Sequence, residues 1–155
     1  MTEPILKVEG ISKGFPGVQA LSDVHLSVSA GEVLVLVGEN GAGKSSLMKI
    51  LSGIYTKDAG HIYFNGAEVD ITSPLHAQQL GVTIIHQEMN LMSDLTVAQN
   101  IYIGREPRNG IFLSETKLNA QTTELLQRLE IALEPRQIVG ELTVAKQQMV
   151  EIAKA

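Results

Sequence analysis

The sequence has no cysteine and no tryptophan. The first absence excludes disulfides, thiolate metal sites and cysteine nucleophiles. The second, with aromatic residues at only 4%, leaves few surfaces on which nucleic-acid bases could stack in series. Basic residues are also short, since 12 lysines and arginines against 17 acidic residues give a net charge of −5. An acidic chain without a basic stretch is poorly suited to gripping a nucleic-acid backbone. No run of 18 apolar residues occurs, so no segment reads as a membrane span. Met1-Thr2-Glu3-Pro4 lacks the positive region and apolar core of a secretory leader, and the expected compartment is cytoplasmic.

What is present suits one globular domain of 155 residues, with 44% hydrophobic residues and 14 glycines. Ile5, Val8 and Ile11 suggest an opening strand. Val18 to Val28 alternates in part, with Val24, Leu26 and Val28 opposite Asp23, His25 and Ser27, as in a half-buried strand. After a turn at Ala30-Gly31-Glu32, Val33-Leu34-Val35-Leu36-Val37 is a continuous apolar run of the kind found in strands buried on both faces of a parallel sheet. Leu47, Ile50, Leu51 and Ile54 are spaced for one helix face, and Gly53 stands where that helix would close. A turn at Lys57 to Gly60 leads to strands at His61 to Asn65 and Glu68 to Ile71, joined by the hairpin dipeptide Asn65-Gly66. Ser73-Pro74 opens a short helix that stops near Gly81, and Val82 to His86 reads as another short strand.

Farther along, Thr96 and Gln99 have capping-box spacing. Ser114 caps a longer helix with Leu118, Leu125, Leu126, Leu129 and Leu133 on one face, ended by Pro135. A last helix from Thr143 offers Met149, Ile152 and Ala153 to a buried face. Met89 and Met92 read as packing residues, His86 and Glu88 as structural or solvated.

The chemistry is concentrated in Gly38-Glu39-Asn40-Gly41-Ala42-Gly43-Lys44-Ser45, which matches the phosphate-loop pattern G-x-x-x-x-G-K-S/T at every fixed position. A triphosphate carries dense negative charge. Glycines let backbone N–H groups approach its oxygens, and the following helix points its positive dipole end at the same place. In this pattern Lys44 supplies a point charge for the β- and γ-phosphates and the Ser45 hydroxyl ligates Mg²⁺, with Ser46 continuing the first helical turn. An apolar run before the loop and an amphipathic pattern after it supply the strand and helix that the motif requires.

Further segments stand in order around this loop: Lys13 to Leu21, Ile84-Ile85-His86-Gln87-Glu88, and Leu142 to Ala155. Together they resemble an ATP-binding cassette, most closely the first cassette of the double-cassette ATPases of ribose-type sugar importers. The resemblance implies an α/β fold of the P-loop NTPase class, with an antiparallel β subdomain and P-loop core over 1–90 and a helical subdomain with the signature helix over 91–155, incomplete at its C-terminal end. It implies ATP and Mg²⁺ as ligands. Phe15 takes the place of the aromatic that stacks on adenine, with Val18 beside it. Gln87 takes the place of the glutamine that contacts Mg²⁺ and the attacking water. Lys44 and Gln87 are the residues it assigns to catalysis.

The resemblance further implies membrane permease subunits, a solute-binding protein reached through them and a second cassette as partners, at the cytoplasmic face of the inner membrane, with no nucleic acid. Its signature motif, commonly Leu-Ser-Gly-Gly-Gln, here reads Leu142-Thr143-Val144-Ala145-Lys146. Thr143 keeps the hydroxyl, Ala145 adds a methyl where glycine allows the closest approach, and Lys146 sets a cation in the first helical turn, against the helix dipole. No apolar strand ending in Asp-Glu follows the signature helix, and the family's switch histidine is absent too. A truncated cassette is therefore expected, binding ATP weakly if at all, hydrolysing little and leaving sheet edges open to self-association. Two other readings share these motifs: a non-transport cassette, such as a translation or repair factor, and a module with a vestigial phosphate loop.

Overall fold

The computed structural model describes residues 3–86 and 89–155, and the chain forms two compact units, Met1–Ile84 and Ile85–Ala155. The first is built on a four-stranded antiparallel sheet of β1 (Leu6–Phe15), β2 (Val18–Val28), β3 (Ala59–Phe64) and β4 (Ala67–Glu68), in the order β2-β1-β3-β4. The alternation read in β2 is realised: Val24, Leu26 and Val28 turn partly inward, while Asp23, His25 and Ser27 are exposed. Asn65 and Gly66 both take positive φ, 50° and 77°, which the tight hairpin between β3 and β4 requires.

Helices α1 (Lys44–Leu51) and α2 (Pro74–Gln79) belong to this unit. Leu47, Ile50 and Leu51 of α1 are buried with Val8, Ile11, Leu21, Ile62, Ile71 and Ala77 in one apolar cluster. Gly53 at φ 73° closes α1, as its place in the sequence suggested, and a side chain there would meet the Ser73 backbone. Because the chain turns at Gly53, Ile54 leaves the helical period and is exposed, not buried as the spacing predicted. Ser73 caps α2 by accepting the His76 N–H.

Two expected strands are absent. Val33–Val37 forms no strand, nothing among the described residues pairs with it, and Val33 and Val37 are 88% and 89% exposed. Val82–His86 is likewise unladdered, with Ile85 exposed. A continuous apolar run signals burial only where neighbouring strands and covering helices exist to bury it, and composition cannot supply the neighbours. Smaller shifts have local causes. β3 starts at Ala59, inside the expected turn, because the Asp58 N–H bonds to the Ser12 carbonyl and draws the chain onto β1. β4 ends at Glu68, short of Ile71.

The second unit holds α3 (Val97–Ile101), the hairpin β5 (Arg108–Asn109) and β6 (Phe112–Leu113), α4 (Glu115–Arg128) and α5 (Val144–Lys154). Both bonds of the capping box form: Gln99 N–H to the Thr96 hydroxyl at 3.2 Å, and Thr96 N–H to the Gln99 side chain at 2.9 Å. Val97, Ile101, Leu126, Val139, Val150 and Ala153 make the core. The small β5–β6 hairpin was not anticipated, since strands of two residues carry no period.

Three expectations fail here. α4 stops before Pro135, because Glu130 takes a left-handed φ of 56°, and Leu129 is left exposed. Met149 and Ile152 are exposed. Ala153 is buried as expected, and it is joined on the inward face by Gln147, Val150, Glu151 and Lys154, whose polar members bond to the Val139 carbonyl, the Asn90 N–H and the Asn90 carbonyl at 3.0, 2.6 and 2.9 Å. Hydrophobicity alone misreads a face whose polar side chains are satisfied by backbone. Met89 and Met92, expected to pack, are exposed, whereas His86 is exposed as read.

An exposed apolar segment whose backbone no strand pairs with is a template for another chain. We expect concentration-dependent self-association in sedimentation velocity, reduced by Val35→Lys. A wild-type chain that stays monomeric over a hundredfold range of about micromolar concentrations would contradict it.

Candidate functional site

The geometry of the 38–46 loop starts at Gly43. This residue precedes α1 with φ 86°, and a Cβ built on it would lie 2.4 Å from the Ala20 carbonyl oxygen and 2.7 Å from a Leu21 methyl. Only glycine permits this close seating of the helix entrance on β2. No side chain caps the first turn of α1, so its leading N–H groups at Lys44, Ser45 and Ser46 point outward beside the loop. Gly38, Glu39, Asn40, Gly41 and Ala42 are exposed, and the Ala42 N–H bonds to the Glu39 carbonyl in a turn at 3.2 Å. The Lys44 ammonium folds back over this turn and donates to the carbonyls of Gly38 and Glu39 at 2.7 and 2.8 Å.

The loop therefore gathers a cation, a helix start and a row of backbone donors at one exposed place. Its donor set suits an anion of several charges. The glycines serve the same end: a Cβ at Gly38 would press on the Ala42 methyl at 3.3 Å and stand 3.9 Å from the Lys44 nitrogen. The exposed Ser45 hydroxyl on the first turn is the oxygen ligand that a divalent cation beside such an anion would use. Among the described residues no cluster of His, Asp and Glu could hold a metal by itself.

Phe15 and Val18 pair across the end of the β1–β2 hairpin, with Gly17 at φ 80° in the turn between them. Both are exposed, Phe15 to 38%. The ring meets Tyr55 in a T-shaped contact with centroids 5.3 Å apart, and the Lys13 ammonium lies 5.7 Å from the ring centre. Asp58 ties this corner down: one carboxylate oxygen accepts Lys13 Nζ at 2.6 Å and the other the Gly14 N–H at 2.7 Å. No role for Tyr55 or Asp58 was legible beforehand. The only available signal was a polar turn of ordinary composition.

Gln87 lies outside the described residues. The signature-like segment does open a helix, since Thr143 is the N-cap of α5. Leu142 is half-buried against the second core, while Thr143, Val144, Ala145 and Lys146 are exposed. The Thr143 hydroxyl caps nothing. Sequence reasoning also missed Asn100. Buried to 1%, its side chain takes the Met92 N–H at 2.8 Å and donates to the carbonyls of Met92 and Thr96 at 3.0 and 3.1 Å, fixing the path of residues 92–96.

The Asp58 carboxyl is held below the ordinary aspartate value, first by the Gly14 N–H and then by the Lys13 ammonium. A depressed carboxyl stabilises the fold above its unfolded pKa, and that contribution is lost as the pH falls through the folded value. We expect the difference in thermal midpoint between wild type and Asp58→Asn to be greatest near neutrality. It should shrink toward zero as the pH is taken down through 3.8 and below. A pH-independent difference would contradict the assignment.

Comparison with known proteins gives this geometry its setting. The chain is 59% identical over 99% of its length to a relative from Burkholderia cenocepacia (strain HI2424) named for ribose/galactose/methyl galactoside import as an ATP-binding protein. A similarly named protein of Albidiferax ferrireducens is 58% identical over 97% of the chain. The chain spans about 30% of the length of these curated relatives. Among solved structures, a nucleotide-free ATP-binding cassette from an ABC transporter superposes with a TM-score of 0.83 at 28% identity, covering 98% of this chain and 64% of that one. The ADP conformation of an ATP-binding cassette gives 0.83 at 27% identity, covering 99% and 64%. Residues 21–155 match the ABC transporter family, and the chain belongs to that family.

Proposed function

We propose that this chain is the nucleotide-binding part of an ATPase that drives carbohydrate import. Residues 38–46 hold the phosphates of Mg²⁺·ATP, and Phe15 and Val18 receive the base. The observation that carries this reading is the Lys44 ammonium. Two backbone carbonyls hold it directly before an uncapped helix start, in a loop that keeps glycine where a Cβ would intrude. The names of the relatives support sugar import as the task, and the absence of a long apolar helix among the described residues agrees with attachment to a membrane through partners.

Each residue's part follows from its chemistry. Lys44 balances the charge of the β- and γ-phosphates, and the first-turn N–H groups of α1 donate to phosphate oxygens. Ser45 offers its hydroxyl to Mg²⁺. The metal, when bound, neutralises charge developing between the β- and γ-phosphates. Gln87 is the residue we assign as the second metal contact, on the family resemblance of the segment that carries it. Leu142, Thr143, Val144, Ala145 and Lys146 face the nucleotide of a second cassette, with the Thr143 hydroxyl as donor and Lys146 as an added cation. Residues 1–90 are the β subdomain and P-loop core of the cassette and 91–155 its helical subdomain. The whole protein hydrolyses ATP at the cytoplasmic face of the membrane, coupled to permease subunits that receive sugar from a solute-binding protein.

Calorimetric titration of the chain with Mg²⁺·ATP tests this reading. Lys44→Ala is expected to weaken binding about tenfold or more, the scale of one charge-assisted contact to phosphate. Binding that ignores Lys44 would overturn the site. For the transport role, the protein extended to its relatives' length should copurify with membrane permease subunits. Copurification with ribosomes or DNA instead would point to the non-transport cassettes.

A further inference from the structure

The Asp58 carboxylate is bound to two consecutive residues of β1, Lys13 and Gly14, immediately before Phe15. The register of β1 against β2 shifts between Lys13 and Gly14, a bulge of the kind that re-aims the next side chain. A bulged end of a hairpin is ordinarily loose, yet here three contacts converge on it. Asp58 fixes its backbone, Lys13 lies over the ring, and Tyr55 packs in T-shaped fashion against it. Tyr55 is itself steadied by Lys49 of α1, whose ammonium lies 5.1 Å from the tyrosine ring centre and 3.5 Å from its hydroxyl. The brace thus runs from the helix that begins at the phosphate loop, through Lys49 and Tyr55, to the exposed ring, while Asp58 separately holds the strand that carries it.

We infer that Asp58 and Tyr55 are positioning residues for a base-stacking platform at Phe15, so that they set affinity for the base of the nucleotide without touching its phosphates. The inference rests on the nucleotide reading above and goes beyond it by naming what holds the platform. Stacking needs a ring face presented in one orientation, and a side chain free to rotate gives up part of the contact as lost entropy. Asp58 and Tyr55 pre-set that orientation. Neither lies in the 38–46 loop, so a phosphate chain without a base is indifferent to them.

The test is titration of the 155-residue chain with two probes, ATP and inorganic tripolyphosphate, each with magnesium. Asp58→Asn should weaken ATP by about fivefold, within the range of one lost stacking contact, and leave tripolyphosphate unaltered. Tyr55→Ala should do the same, and Tyr55→Phe, which keeps the ring edge, should restore most of the loss. Combined with Phe15→Ala, Asp58→Asn should add less than about twofold, because both act on one contact. Equal weakening toward both probes would mean that Asp58 merely supports the fold. Unaltered ATP affinity, additive losses, or ATP bound no tighter than tripolyphosphate would each overturn the platform. If neither probe binds in a Lys44-dependent way, the nucleotide reading itself fails and the inference falls with it.

Discussion

The seating of Gly43 on β2 is the contact on which the candidate site depends. A helix can present its first N–H groups to a ligand only if its start is fixed and no side chain covers it. Gly43 meets both needs, with a left-handed backbone and a Cα that approaches the Ala20 carbonyl more closely than any other residue could. The buried Leu47, Ile50 and Leu51 then hold the body of α1 against the sheet. The loop before the helix is thereby anchored at its C-terminal end by packing, while the Val33–Val37 segment that leads into its N-terminal end joins no sheet among the described residues.

That asymmetry explains what could be read from the sequence. Local chemistry was legible wherever a residue's own neighbours decide its conformation. The Thr96–Gln99 box, the Ser73 cap, the Asn65-Gly66 hairpin and the Gly53 closure all formed as written, because each is settled within a few residues. The phosphate-loop pattern belongs to this class, since glycine and lysine spacing is a local code. The two apolar runs expected as strands are of the other class. Whether an extended segment becomes a strand is decided by residues distant in sequence, and no property of Val33–Val37 itself reveals whether a partner is at hand.

A second kind of misreading concerned polarity. The inward stripe of α5 contains Gln147, Glu151 and Lys154, each of which spends its polar end on backbone groups. Asn100 works in the same way. Hydropathy scales count such residues as surface-seeking, because they measure transfer from water to a medium without partners. When the partner is a peptide group that would otherwise be unsatisfied, the polar side chain is the one that belongs inside. These residues were invisible to periodicity for a physical reason, and the same reason makes them the fixed points of the loops.

Asn100 shows what such an arrangement permits. One amide side chain satisfies peptide groups at both ends of the stretch from Met92 to Thr96, and the side chains of Met92, Ser93 and Asp94 take no part in those bonds. The track of the chain and the identity of the side chains riding on it are thereby uncoupled. Substitution along this stretch can retune its outer surface for a different neighbour while the route beneath stays where one buried asparagine put it.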